Sequence, residues 1–181
     1  MRFLHSFFQN QSSSGRVCCG NGLSANPPTV GIKFGENKNK QSDMNVFELP
    51  FNKYIGLEKS SDSDYLLMLV EKDEYLNHLS TVHASALFAL AEATSGFFLL
   101  NEFQGIKNIL PVVRKVETKY KKPALGKILS KADFVNTDKE KILEELEINQ
   151  RILITVRVLL YDLKKTNVMQ SDFEWFIAKN K

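Results

Sequence analysis

Glu92 stands in the run Ala89-Leu90-Ala91-Glu92-Ala93, a carboxylate with apolar neighbours on both sides. An ionised carboxylate buried there costs several kcal/mol unless it is paired or protonated. Desolvation raises its pKa toward neutrality, which suits a general base. His83 is expected in the first turn of the same helix, with Asn77 in the loop before it. The first N–H groups of a helix, here including that of Ala84, have no intrahelical partner. They suit a developing negative oxygen, and the Asn77 amide adds a side-chain donor. The combination is a base together with a site for an oxyanion.

The spacing constrains how these groups meet. His83 and Glu92 are nine positions apart, or about 900° of helical rotation and about 13.5 Å of rise. They are expected on opposite faces, so a single chain does not easily bring both to one small substrate. Two chains do, if Glu92 reaches a site begun by the partner's His83 and Asn77. A dimer with two composite sites is the expectation. Arg114, Lys115, Lys119, Lys121 and Lys122 form a basic run downstream. It reads either as a solvated strand edge or as a landing site for the phosphates of a nucleotide-bearing thioester.

Those groups need elements to carry them. A helix is expected from near Val82 to about Phe103, with Ser80 or Thr81 as cap and Gly105 as stop. It is apolar on all faces, so protein should surround it. Short strands are expected at Tyr54–Leu57 and Tyr65–Val70 before it, with a break at Pro50-Phe51-Asn52. After it, alternation predicts strands at Leu110–Tyr120, Lys127–Val135, Ile152–Leu160 and Met169–Ile177. Val112, Val116 and Tyr120 should share one face of the first of these, opposite Lys115, Glu117 and Lys119. A capping box at Thr137-Asp138-Lys139-Glu140 opens a charged helix through Glu147. One helix covered all round by six strands implies α+β, with an antiparallel sheet curled about the helix.

Composition narrows the class. The 181 residues are 25% charged and 43% hydrophobic, as in a globular domain. Residues 1–43 carry a net charge of +3, whereas residues 44–181 balance at 19 basic and 19 acidic. A nucleic-acid binder would hold its positive excess on the folded domain, so no nucleic-acid partner is expected. The only cysteines, Cys18 and Cys19, are adjacent and outside the body, and there are three histidines. No disulfide framework, cysteine nucleophile or metal site follows. The segment 1–43 reads as a disordered or targeting extension, and 44–181 as the domain. A central Glu argues against a membrane span in Val82–Leu100. The expected location is the cytoplasm, or an organelle if the extension targets one.

The stretch Asn77-His78-Leu79-Ser80-Thr81-Val82-His83-Ala84-Ser85-Ala86-Leu87-Phe88-Ala89-Leu90-Ala91-Glu92 resembles the helix motif of hotdog-fold thioesterases. It is most similar to the phenylacetyl-CoA-type branch and its uncharacterised relatives. Tyr120-Lys121-Lys122-Pro123-Ala124-Leu125-Gly126 resembles that family's strand end and turn. The resemblance spans about residues 48–178. It implies a hotdog fold, a homodimer or dimer of dimers, and water attack on an acyl-CoA or acyl-carrier-protein thioester. No cofactor is implied beyond the coenzyme A of the substrate. Glu92 would activate water or attack directly, Asn77 and the Ala84 N–H would polarise the carbonyl, and His83 would support them. Arg114, Lys119, Lys121 and Lys122 would meet the phosphates. Ala84-Ser85 stands where the family has Gly-Gly, and Val113 where some members have Ser. These departures support a second reading, a non-catalytic hotdog protein that binds acyl groups or scaffolds a partner.

Overall fold

The structure, a computed structural model, describes residues 45–106 and 108–179. The extension 1–43, with Cys18 and Cys19, lies outside the described residues.

Alternating apolar residues make the sheet. Its strands are β1 (Leu57–Lys59), β2 (Leu67–Leu69), β3 (Ile109–Tyr120), β4 (Ile128–Phe134), β5 (Arg151–Tyr161) and β6 (Asn167–Lys179). All neighbours are antiparallel, in the order β1-β2-β4-β5-β6-β3. Along β5 the even-numbered residues from Ile152 to Leu160 are buried and the odd-numbered ones are not, so one face packs inward. The helices are α1 (Pro50–Tyr54), α2 (Ala84–Glu102) and α3 (Lys139–Asn149). The sheet packs against α2, and β2, β4, β5 and β6 all touch it. This is an α+β hotdog fold.

Leu87, Leu90, Ala91, Thr94 and Leu99 bury the sheet-facing side of α2. Full burial of Leu90 alone stabilises by about 1.5–3 kcal/mol. The buried hydroxyls on this side are matched. Thr94 donates to Ser130 Oγ at 2.8 Å, and Ser130 donates to Leu67 O at 2.9 Å. A buried polar pair of this kind ties helix to sheet without an unmet donor.

The opposite side of α2 departs from the expectation of a helix buried all round. Ala84, Ser85, Phe88 and Glu92 are exposed. The sheet curls over one side only, and the i, i+4 stripe 84–88–92 is left facing out. Two local readings also change. Pro50 opens α1 rather than breaking an element, since its fixed φ suits the first turn. Tyr54 therefore ends a helix, and β1 begins only at Leu57. In β3, a bulge between Val113 and Lys115 shifts the register against β6. An extra residue flips the side-chain alternation. Val112 is therefore exposed on the outer face, while Val116 and Tyr120 turn toward the helix. Asp138 caps α3, accepting from Lys141 N–H at 3.0 Å.

Candidate active site

A cavity of about 510 Å³ opens on the exposed side of α2. Ala84, Ser85, Phe88, Ala89 and Glu92 of α2 form its floor, with Phe51 of α1 and Tyr120 of β3 as walls. Among the described residues, Glu92 is the one polar side chain that lines it apart from the Ser85 and Tyr120 hydroxyls. Glu92 is thus not enclosed in the core, as the sequence suggested, but set on an apolar wall open to solvent. The walls still remove much of its water, and this desolvation raises its pKa above the ordinary carboxylate value.

The loop before α2 explains where His83 and Asn77 go. Leu76 and Val82 bridge as an antiparallel pair, and Asn77 N–H donates to Thr81 O at 2.8 Å. Inside this turn the Asn77 Oδ1 accepts from Leu79 N–H at 2.8 Å and from Thr81 N–H at 3.2 Å. Its Nδ2 donates to Thr81 Oγ1 at 2.9 Å. Asn77 is therefore the staple of the loop, a common use of Asn in turns. It does not line the cavity.

His83 is the N-cap of α2, not a residue of its first turn. Its Nδ1 accepts from Ser85 N–H at 3.1 Å, and its own N–H donates to Tyr75 O at 2.7 Å. That side chain does the work usually given to Ser or Asp. Neither Ser80 nor Thr81 caps the helix. Because His83 stands outside the helix, the relevant helical pair is Ala84 and Glu92. They line the same cavity of one chain. About 12 Å of helical rise still separates their backbones.

The basic run is only partly brought to this place. Tyr120 faces the helix, so the alternation puts Lys119 on the outer face of β3, in register with Gln170. Lys121 Nζ donates to the Gln170 Oε1 at 3.0 Å on that same side. Lys115 pairs with Glu117 at 4.0 Å. Arg114 sits at the bulge, six residues from Tyr120. Lys122 is exposed just beyond the strand. Val113 is half-buried beside Trp175 and does not line the cavity. Tyr120 and Phe51 are site residues that the sequence did not single out. The Tyr120 alternation was visible, but the face it occupies depends on which way β3 turns.

A family described as a domain of unknown function, DUF4442, matches residues 57–177. The chain belongs to this family. No curated protein matches it. Among solved structures, a Pseudomonas aeruginosa protein of unknown function, described as a probable thioesterase, has a TM-score of 0.62 at 22% identity. That match covers 75% of this chain and 91% of the other. A Chlorobaculum tepidum protein of unknown function gives 0.59 at 22% identity, over 74% and 88% of the two chains. A Haemophilus influenzae thioesterase gives 0.56 at 13% identity, over 74% and 86%. The DUF4442 chain therefore shares its fold with structures in the hotdog thioesterase superfamily. At these identities the likeness is one of fold. It does not reach the phenylacetyl-CoA-type branch.

Proposed function

We propose that this DUF4442 protein hydrolyses an acyl thioester, carried on coenzyme A or an acyl carrier protein. The observation that carries the reading is Glu92. It is a partly desolvated carboxylate on the wall of an apolar cavity that also holds the first turn of α2. A raised pKa fits a general base. The apolar walls suit an acyl group. The Ala84 N–H, which has no partner among the described residues, suits the thioester oxygen.

In this reading Glu92 takes a proton from water as the water oxygen attacks the thioester carbon. The carbonyl oxygen gains negative charge near the first turn of α2. Collapse breaks the C–S bond, and the thiolate takes up the proton held by Glu92. His83 holds the helix start, and Asn77 holds the loop that places His83. The phosphates of coenzyme A would meet Lys122, exposed just past Tyr120, rather than Arg114 at the bulge or Lys119 and Lys121 on the outer face.

We also propose a homodimer; a dimer of dimers would need further surfaces. β3 is an edge strand twelve residues long. Such edges invite pairing, and a second copy along it would cover the open side of the cavity.

The test is thiol release by the full chain across short, long and aromatic acyl-CoAs. Turnover is expected with at least one class. The second reading, acyl binding without hydrolysis, rests on Asn77 and His83 being held by loop and cap. Saturable acyl-CoA binding with no thiol release would select it.

A further inference from the structure

We infer that the Tyr120 hydroxyl is the side-chain donor to the developing oxyanion, the role the sequence motif assigns to Asn77. This deepens the thioesterase reading and rests on it.

Asn77 is poorly placed for the task. Turning its amide toward a substrate would break the bonds to Leu79 and Thr81 that hold the loop. Tyr120 has no such duty. Its ring is half exposed at 50% and forms a cavity wall. Its hydroxyl lies 3.4 Å from the Ala84 carbonyl oxygen. A hydroxyl bond is normally nearer 2.7–2.8 Å, so this contact is weak and easily exchanged for a better acceptor. An α-helical carbonyl also already accepts from the N–H four residues on.

Position supports the same assignment. The contact with Ala84 sets the Tyr120 hydroxyl over the first turn of α2. Glu92 lines the same cavity, and side chains on a helix lean toward its N-terminus, which is the end that Tyr120 overlies. A thioester carbonyl in that cavity would take attack at its carbon from water held by Glu92 and donation at its oxygen from Tyr120. During attack, the carbonyl oxygen becomes an alkoxide and accepts from the Tyr120 O–H. The phenol keeps its proton throughout. On collapse the C=O re-forms, the C–S bond breaks, and the thiolate receives the proton that Glu92 took from water.

The experiment compares Tyr120→Phe with wild type and Glu92→Gln, using the full chain and the acyl-CoA that wild type turns over best. Phe keeps the wall and removes the donor. The expected result is a fall in kcat of about 100-fold or more, as for loss of one oxyanion donor, with KM little changed and the melting temperature retained. Wild-type kcat in Tyr120→Phe, with Glu92→Gln inactive, overturns this assignment and leaves the thioesterase reading intact. A raised KM at unchanged kcat also overturns it, making Tyr120 only a wall. No thiol release by wild type from any acyl-CoA or acyl-carrier-protein thioester overturns both readings together.

Discussion

Glu92 and Ala84 face one cavity from a single helix, eight residues apart. Eight positions are about 800° of rotation, within about 80° of a common face. His83, one residue earlier, has left the helix to cap it. That one-residue difference turns the two groups toward one cavity, with about 12 Å of helical rise between them.

The ionisation of Glu92 should govern both activity and stability. A general base acts when deprotonated, so kcat/KM should rise with pH, through an apparent pKa above 4.5. Stability should move the other way. The folded state raises this pKa, so it binds the proton more tightly than the unfolded chain does. The favourable contribution is complete below 4.5 and is lost as pH rises through the folded value. Glu92→Gln should therefore unfold at a higher temperature than wild type at neutral pH. Paired thermal melts at acidic and neutral pH check this; an equal or lower melting temperature at neutral pH speaks against a desolvated Glu92.

Asn77→Ala should cost stability before it costs chemistry. It removes three side-chain hydrogen bonds inside one loop. At partial exposure the net loss is about 1–2 kcal/mol. Urea unfolding measures it. A catalytic oxyanion donor would instead show a large loss of kcat at unchanged stability.

Phe51→Ala tests the wall that α1 supplies. Phe51 is 61% exposed and lines the cavity, so its removal should leave the melting temperature within a degree or two of wild type. It should raise KM for long or aromatic acyl-CoAs by about tenfold, the equivalent of about 1.4 kcal/mol of lost contact. KM for short acyl groups should stay the same.

Arg157 and Asp172 tie β5 to β6 by two hydrogen bonds, from Nε at 2.7 Å and Nη2 at 2.6 Å. The Arg157 bonds hold the Asp172 carboxyl below its ordinary value. Its stabilisation is therefore present above pH 3.8 and lost as pH falls through the lower folded value. Asp172→Asn should cost roughly 0.5–1 kcal/mol at neutral pH, since the pair is partly exposed. The difference from wild type should shrink in strong acid, which denaturant titrations at the two pH values would register.

The sequence made the strands and long helix legible because β5 and β6 alternate cleanly and α2 is a long Ala- and Leu-rich run. The antiparallel sheet followed from one helix needing cover. The side of α2 left open was not legible, because its Ala84 and Phe88 look like core in any window. Whether an apolar residue is buried depends on where the sheet stops. Pro111 marks β3 as an edge or bulged strand but does not say where the bulge falls, and its place at Arg114 sets the face of Val112. Asn77, His83 and Glu92 stood out by type and spacing. What the first two do was fixed by backbone partners, Thr81 and Ser85, which spacing does not reveal. Tyr120 was hidden for the opposite reason: its place depends on β3 ending over the start of α2, a contact between residues 36 positions apart.

The most direct measurement is kcat for thiol release by wild type and Glu92→Gln on the best acyl-CoA substrate. The account predicts a fall of about 100-fold or more in the variant, with the protein folded and still able to bind acyl-CoA. Equal kcat in the two proteins would contradict it and place the hydrolytic base elsewhere.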